Sequence, residues 1–150
     1  MDHYHAVDYD LTSILVERIP WRRAQWKANR YLPRLIASIE PDQLIELVPE
    51  LIEVIDLVTT RHGYRADTKV WMNLYRNGRD YTPFHADNYD RDVVSVSFGC
   101  DRRFVVKGTT TREFTLKNGD VFVLRGDYPN THAVPKDSST QPRVSLVFFC

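Results

Sequence analysis

The chain has 150 residues, with 20 Lys or Arg against 20 Asp or Glu, and two Cys. A length of this order predicts a single domain over residues 1–150 that can bury a sizeable core. A formal net charge of zero argues against strong non-specific binding of polyanions. Cys100 and Cys150 supply neither a disulfide framework nor the CxxC spacing of a zinc site.

The start of the chain and its most apolar stretch bear on localisation. Met1 to Asp10 is polar and acidic, and Leu44 to Val58 carries four acidic residues. A leader peptide or a span of about 20 apolar residues would have a different composition. We therefore expect an intracellular protein, cytoplasmic or nuclear, that has no membrane segment and acts as a monomer.

The net charge of zero is the sum of two segments of opposite charge and the rest of the chain. Arg18 to Arg34 contains six bases and no acid, and Glu40 to Asp56 contains six acids and no base. The basic segment also carries aromatic rings and suits phosphates with stacked bases. Its candidate substrate contacts are Trp21, Arg22, Arg23, Trp26, Tyr31 and Arg34. A second interpretation stays open, in which the segment is solvated and pairs with the acidic helix. In either case some of the rings belong to the core, and Trp21, which follows an apolar residue and a proline, is the one we expect there.

The predicted elements begin with helices. Glu50 to Arg61 is predicted as a helix, because Pro49 suits its first turn, apolar residues form a stripe, and Gly63 can end it. Residues 42–48 can add a short turn before it. After Tyr64 short strands are predicted, with turns such as Asn77-Gly78 between them; they cover residues 68–75, 93–98, 104–107, 112–116, 121–124, 131–134 and 143–149.

This order of elements predicts the fold class. Helices followed by about seven antiparallel strands favour an α+β protein, with a jelly-roll or double-stranded β-helix core buttressed by N-terminal helices. Within the single domain, residues 1–66 are expected to form a helical and lid region, and residues 67–150 the jelly-roll core. No internal repeat or low-complexity segment is present.

The run from Asn73 to Asp87 ends on a His-Ala-Asp triplet that can bind a metal. Residues at i and i+2 of an extended segment face the same side, so His85 and Asp87 can hold one ion. His132, in a later predicted strand, can supply a third ligand, and two histidines with one carboxylate are typical of non-haem Fe(II) oxygenases. An isolated H-x-D triplet is commonly only hydrogen-bonded, so the hypothesis depends on the whole set.

The strand period also groups polar residues that could bind a co-substrate. Asn73 and Tyr75 share one face of their strand, and Arg143, Ser145, Val147 and Phe149 share one face of theirs. If the inner surfaces of two sheets form a pocket, these groups meet there. A buried arginine needs a carboxylate, which in such an oxygenase is a dicarboxylate co-substrate. The ordinary alternative for Arg143 is an internal salt bridge.

At these residues the chain resembles the AlkB family of nucleic-acid demethylases. The marks of that family stand here as Asn73-Leu74-Tyr75, His85-Ala86-Asp87, Ser95-Val96-Ser97-Phe98-Gly99, Arg103-Phe104, His132-Ala133-Val134-Pro135 and the final strand 143–149. Upstream, Ile19-Pro20-Trp21 and Pro33-Arg34-Leu35 are similar to further marks. The resemblance covers roughly residues 17 to 149.

The resemblance implies cofactors and roles for these residues. Fe(II) would be held by His85, Asp87 and His132, with 2-oxoglutarate and O2 as co-substrates. Arg143, assisted by Tyr75, would bind the distal carboxylate of 2-oxoglutarate, and Asn73 the carboxylate beside the keto group; Ser145 belongs to the same set. The implied reaction is oxidative removal of an alkyl group from a DNA or RNA base, in repair or modification.

Two departures from the family pattern affect the expected substrate. Phe149 replaces a closing arginine, so one cation near the metal-side carboxylate is missing, and residues 36–39 run almost directly into the acidic helix, so the lid over the base is shortened or lost. A thin lid favours an alkylated, single-stranded nucleic acid. Two alternatives stay open: an oxygenase of the same fold acting on a protein side chain or small metabolite, and a non-catalytic module.

Overall fold

The computed structural model describes residues 2–27, 29–86, 90–127 and 131–150, without the side chains of Trp26 and Lys27. Its helices are α1 (Thr12–Arg18), α2 (Pro41–Leu47) and α3 (Ile52–His62), with a 3-10 turn at Pro49–Leu51. Its strands are β1 (Asp2–His5), β2 (Arg22–Lys27), β3 (Arg30–Ile39), β4 (Val70–Tyr75), β5 (Thr82–His85), β6 (Val93–Gly99), β7 (Arg102–Lys107), β8 (Thr111–Leu116), β9 (Asp120–Leu124), β10 (Thr131–Val134) and β11 (Arg143–Phe149).

These strands form two antiparallel sheets. The larger sheet has the order β1-β9-β6-β11-β4-β3-β2, and the smaller has the order β5-β10-β7-β8. Aromatic and aliphatic residues of both sheets, among them Tyr75, Phe104 and Phe122, form a core between them. The predicted α+β jelly roll is therefore confirmed.

Alternation along β4 and β11 decides which face of the larger sheet holds the site. Val144, Leu146 and Phe148 are buried in a core that they share with Leu15 of α1 and Val58 of α3. The intervening residues of β11 and the odd-numbered residues of β4 line a cavity on the opposite face. The helices thus cover one face of the sheet, and the cavity lies on the other.

The predicted long helix is present with the expected ends. The Pro49–Leu51 turn leads into α3, and Gly63 follows it with φ of 73°. A positive φ costs glycine little and ends the helix, so Gly63 fixes the point where the chain turns into β4. The short turn expected at residues 42–48 is the helix α2. Within the described ranges no helix is long and apolar enough to span a membrane.

The expectation of a helical region over residues 1–66 needs correction. Besides three helices, this part contains β1, β2 and β3, all of which belong to the larger sheet. In β3 the register pairs Leu35 with Leu74 and Ala37 with Met72, so the strand completes the core sheet. The sequence hid the alternation of β3, because Ile36 on the cavity face is apolar like Leu35 and Ala37 on the helix-facing side.

Candidate active site

A cavity of about 340 Å³ lies between the two sheets, within the range of small-molecule sites. Most of its wall is apolar, with Phe104, Phe122 and Leu124 among its residues. The predicted cofactor and metal residues that the structure describes all line it. They are Asn73, Tyr75, His85, His132, Arg143 and Ser145, and Arg34 joins them. The faces assigned from the strand period are therefore confirmed for these residues.

His85 and His132 lie side by side in this cavity. They are direct register partners on β5 and β10, and their ring centroids are 4.3 Å apart. His85 Nδ1 donates to the Pro83 carbonyl at 2.9 Å. Because a carbonyl only accepts, Nδ1 is the donor of this bond, and in the neutral ring Nε2 would be the nitrogen that binds a metal. Asp87, the predicted third ligand, lies outside the described residues.

Arg143 is a buried cation that faces the cavity. Its side chain donates from Nη2 to Ser97 Oγ at 2.8 Å, and its Nε has no hydrogen-bond partner in the described part of the chain. Burial lowers the pKa of its guanidinium, an effect that Tyr75 opposes. Among the described residues no carboxylate pairs with Arg143, so an internal salt bridge is not found there. A buried guanidinium without an anion favours a site that receives one.

Tyr75 connects Arg143 to the strand that carries His85. Its hydroxyl lies 2.8 Å from Thr82 Oγ1 on β5, and its ring lies 5.4 Å from the Arg143 guanidinium carbon. Its own exposure is 2%. The phenol is thus held in one position beside Arg143, where a carboxylate bound to Arg143 would also meet it.

Asn73 and Ser145 form a second polar group on the same wall. Asn73 Nδ2 donates to Ser145 Oγ at 3.1 Å, and Arg34 Nε donates to Asn73 Oδ1 at 3.1 Å. The register places Ser145 directly opposite Asn73 on β11 and β4. These bonds fix the amide orientation and hold the Arg34 side chain at the cavity.

The sequence did not single out Arg102, which is 1% exposed. Its guanidinium donates to the carbonyls of Asn77, Asp80 and Pro135 at 3.1, 2.8 and 2.8 Å, and lies 3.3 Å from Asp137. It therefore ties the loop before β5 to the loop after β10, the two strands that carry the histidines. Arg103 of the Arg-Phe motif is exposed. Arg102 alternates with the apolar residues Phe104 and Val106 on the inward face of β7, and this pattern could have identified it from the sequence.

The basic segment forms a hairpin of β2 and β3 at the end of the larger sheet. Arg22 pairs with Ile36, which pairs with Asn73, so Arg22 shares the cavity face. Arg23 pairs with Leu35 on the helix-facing side, and its guanidinium carbon stacks 3.9 Å from the Tyr31 ring. The predicted substrate contacts therefore divide between two faces.

Two further residues of the basic segment, Trp21 and Arg18, contact the hydrophobic core and an acidic residue, respectively. Trp21 packs against the core, as expected for this ring from the sequence, and its Nε1 donates to the Leu15 carbonyl at 3.1 Å. The Trp26 side chain lies outside the described residues. Arg18 pairs with Glu50 at 3.1 Å, which is one contact of the kind expected between the basic segment and the acidic helices.

The sequence matches the 2OG-Fe(II) oxygenase superfamily over residues 3–147. The chain belongs to this family. It is similar to the DNA oxidative demethylase ALKBH2 of Arabidopsis thaliana, at 27% identity over 134 residues; the match covers 67% of this chain and 43% of the relative. The chain thus spans less than half the length of that curated relative.

Solved structures share the fold. That of OsALKBH1 aligns with a TM-score of 0.59 at 13% identity, covering 92% of this chain and 87% of that chain. A prolyl hydroxylase from Trichoplax adhaerens, in complex with a hypoxia inducible factor oxygen degradation domain peptide, aligns with a TM-score of 0.62 at 15% identity, covering 93% and 76%. At these identities the likeness shows the fold alone.

Family membership confirms the predicted 2OG-Fe(II) oxygenase superfamily, whose cofactors are Fe(II), 2-oxoglutarate and O2. The described residues fit these groups. The imidazole rings of His85 and His132 lie side by side, and Arg143 has a buried nitrogen for which the described residues supply no partner. Imidazoles suit iron, and a guanidinium suits a carboxylate.

Proposed function

We propose that this chain removes alkyl groups oxidatively from the bases of DNA or RNA, in repair or modification. The observation that carries the proposal is the similarity to a DNA oxidative demethylase. The cavity supports it, because the basic hairpin contributes Arg34 to the wall and Arg22 to the same face. The protein acts inside the cell, as a monomer, on a base that is extruded or single-stranded.

In this proposal each polar residue of the cavity has one task. His85, His132 and Asp87 hold Fe(II), Arg143 and Tyr75 hold the distal carboxylate of 2-oxoglutarate, and Asn73 and Ser145 orient its other end. When bound, the cofactors supply the oxidation: one atom of O2 enters a C–H bond of the alkyl group and the other enters the succinate formed as 2-oxoglutarate loses CO2. The hydroxylated carbon then leaves the base nitrogen as an aldehyde.

The apolar wall serves the same chemistry by limiting water around the reacting carbon. Phe104 packs against His132 with ring centroids 5.6 Å apart and against Phe122 at 4.9 Å. These rings form an apolar patch of the cavity wall next to His132. Excluding water strengthens the interaction between Arg143 and the co-substrate carboxylate.

A second candidate is an oxygenase that acts on a protein side chain. The prolyl hydroxylase with a bound peptide shares the fold, and a chain of net charge zero does not require a polyanion as substrate. In this case the cavity would receive one side chain of an extended peptide, and Arg22 would have no phosphate to bind.

Succinate release separates these candidates. The purified chain with Fe(II) and 2-oxoglutarate is supplied with a methylated single-stranded oligonucleotide, its unmethylated copy, the methylated duplex, or a set of peptides. We expect release to rise with the methylated single strand above its unmethylated copy. Stimulation by peptides alone would support the second candidate, and the absence of turnover with every substrate would support a non-catalytic module.

A further inference from the structure

Two arginines of the cavity share an unusual feature. Arg143 Nε and Arg34 Nη1 are both buried, and neither has a hydrogen-bond partner in the part of the chain that the structure describes. A buried donor without a partner costs free energy, and a charged donor costs more. One such nitrogen fits the distal carboxylate of 2-oxoglutarate. The second, Arg34 Nη1, has no binding partner assigned in the function proposed above, where Arg34 contributes only its positive charge to the wall.

Within the described part of the chain, Arg34 has one side-chain hydrogen bond and one buried nitrogen without a partner. Its Nε donates to Asn73 Oδ1 at 3.1 Å, which leaves Nη1 for another partner. Its strand, β3, pairs with β4, whose Tyr75 and Asn73 line the same cavity. The bond to Asn73 therefore fixes the planar guanidinium against the cavity wall, as an anion-binding arginine requires.

A chain of polar contacts leads from Arg34 to Arg143. Arg34 bonds Asn73, Asn73 bonds Ser145, and Ser145 shares one face of β11 with Arg143. A short dicarboxylate bound to Arg143 would run along this chain and bring its second carboxylate to Arg34. Phe149, which also lines the cavity, contributes no charge there.

We infer that Arg34 binds the carboxylate next to the keto group of 2-oxoglutarate, so that the co-substrate lies between two guanidinium groups. Arg34 is then a cofactor-binding residue rather than a phosphate contact. The inference rests on the 2-oxoglutarate chemistry of the family and not on the nucleic-acid substrate, so a peptide-hydroxylating enzyme would use Arg34 in the same way.

Equilibrium binding of three ligands tests this inference without turnover. The chain is loaded with Mn(II) in oxygen-free buffer, and dissociation constants are measured from intrinsic tryptophan fluorescence, to which Trp71 contributes from the cavity wall. The ligands are 2-oxoglutarate, 2-oxopentanoate, which lacks the distal carboxylate, and 4-oxopentanoate, which has a methyl group in place of the carboxylate beside the keto group. No nucleic acid or peptide is present.

We expect Arg34→Met to weaken the binding of 2-oxoglutarate and 2-oxopentanoate by about thirtyfold, because one charge-assisted pair is lost. Its binding of 4-oxopentanoate should weaken by less than about twofold. Arg34→Lys keeps the charge and should recover part of the affinity. Arg23→Met removes an equal charge from the other face of the hairpin and should change none of the three constants.

Two results would overturn the inference. In the first, Arg34→Met binds 2-oxoglutarate as the natural chain does, which would return Arg34 to the substrate. In the second, Arg34→Met and Arg34→Lys lose the same affinity for all three ligands, which would show that Arg34 only stabilises the cavity wall. A melting temperature measured for each variant shows that the folded protein is being titrated.

Discussion

At the scale of single residues, the setting of Arg143 limits what the cavity can bind. Its guanidinium is 2% exposed, is anchored by Ser97, and faces the ring of Tyr75. Burial lowers the pKa of this group, but an arginine stays protonated in a protein. The cavity therefore presents a permanent positive charge at its floor, and a dicarboxylate meets it with one end.

Replacing Arg143 by alanine should separate co-substrate binding from metal binding. The change leaves the distal carboxylate of 2-oxoglutarate without its partner, at a cost of about 3 kcal/mol, or about a hundredfold in affinity. The Michaelis constant for 2-oxoglutarate, measured by succinate production, should rise accordingly, and the Mn(II) dissociation constant should stay unchanged. An unchanged dependence on 2-oxoglutarate would refute this role.

Asp87→Ala tests the metal assignment. Removing one of three ligands should abolish succinate production, while the circular dichroism spectrum stays that of the natural chain because the sandwich core is formed by other residues. Asp90→Ala is a nearby control that removes an acid of the same type and should retain activity. Normal turnover by Asp87→Ala would show that the metal is held by another set of residues.

The site residues could be predicted from the sequence to different degrees. The two-residue strand period brought Asn73, Tyr75 and Arg143 to one cavity, because each lies on a central strand whose alternate face is apolar. The period could not locate Arg34, since its orientation depends on the pairing of β3 with β4. It also could not show that Arg34 bonds Asn73.

At the scale of elements, Arg102 joins the loops next to the two histidine strands. Arg102→Ala should lower the free energy of unfolding in urea by about 3 kcal/mol, because one buried and two part-buried carbonyls and Asp137 lose their donor. It should also weaken Mn(II) binding, since His85 and His132 are no longer held in register.

The neighbouring Arg103→Ala is the matched control for this prediction. Arg103 is half-exposed and pairs with Glu113 at 2.8 Å, and such surface pairs contribute about 0.5 kcal/mol. Equal destabilisation by the two variants would mean that Arg102 is not the residue that fixes these loops.

The two faces of the β2–β3 hairpin give a test of substrate contact. Arg22→Glu, on the cavity face, should weaken binding of a methylated oligonucleotide about tenfold and flatten its salt dependence, because a phosphate contact is replaced by repulsion. Arg23→Glu, on the face with Tyr31, should have a much smaller effect at the same ionic strength. The comparison is made by fluorescence anisotropy. Equal losses in both variants would indicate a general charge effect instead of a contact.

Some elements were predictable and others were not, for physical reasons. α3 has Pro49, an apolar stripe and Gly63, so local signals define it. The strands from β6 onwards alternate and are separated by turn residues. β1 and β2 lack such signals: their residues are mostly polar, and they form strands because β9 and β3 offer them backbone hydrogen bonds. The positions of β1 and β2 in the sheet are therefore set by the strands they pair with and not by their own residues.

At the scale of the whole molecule, the larger sheet separates support from chemistry. Helices α1 and α3 pack on one face of the larger sheet. The smaller sheet packs on the other face, and the cavity lies between the two sheets. The acidic stretch belongs to the helical side, and Arg22 and Arg34 belong to the cavity side. The neutral total charge therefore allows positive charge to concentrate on the cavity side of the sheet.

The central claim is tested most directly by the stoichiometry of the reaction on a methylated single-stranded oligonucleotide. Mass spectrometry follows the loss of methyl groups, and succinate is measured in the same sample. We predict one succinate for each methyl group removed, with no methyl loss when 2-oxoglutarate is withheld. Succinate formation at an equal rate with and without the oligonucleotide, and no loss of methyl groups, would contradict the assignment of a nucleic-acid substrate.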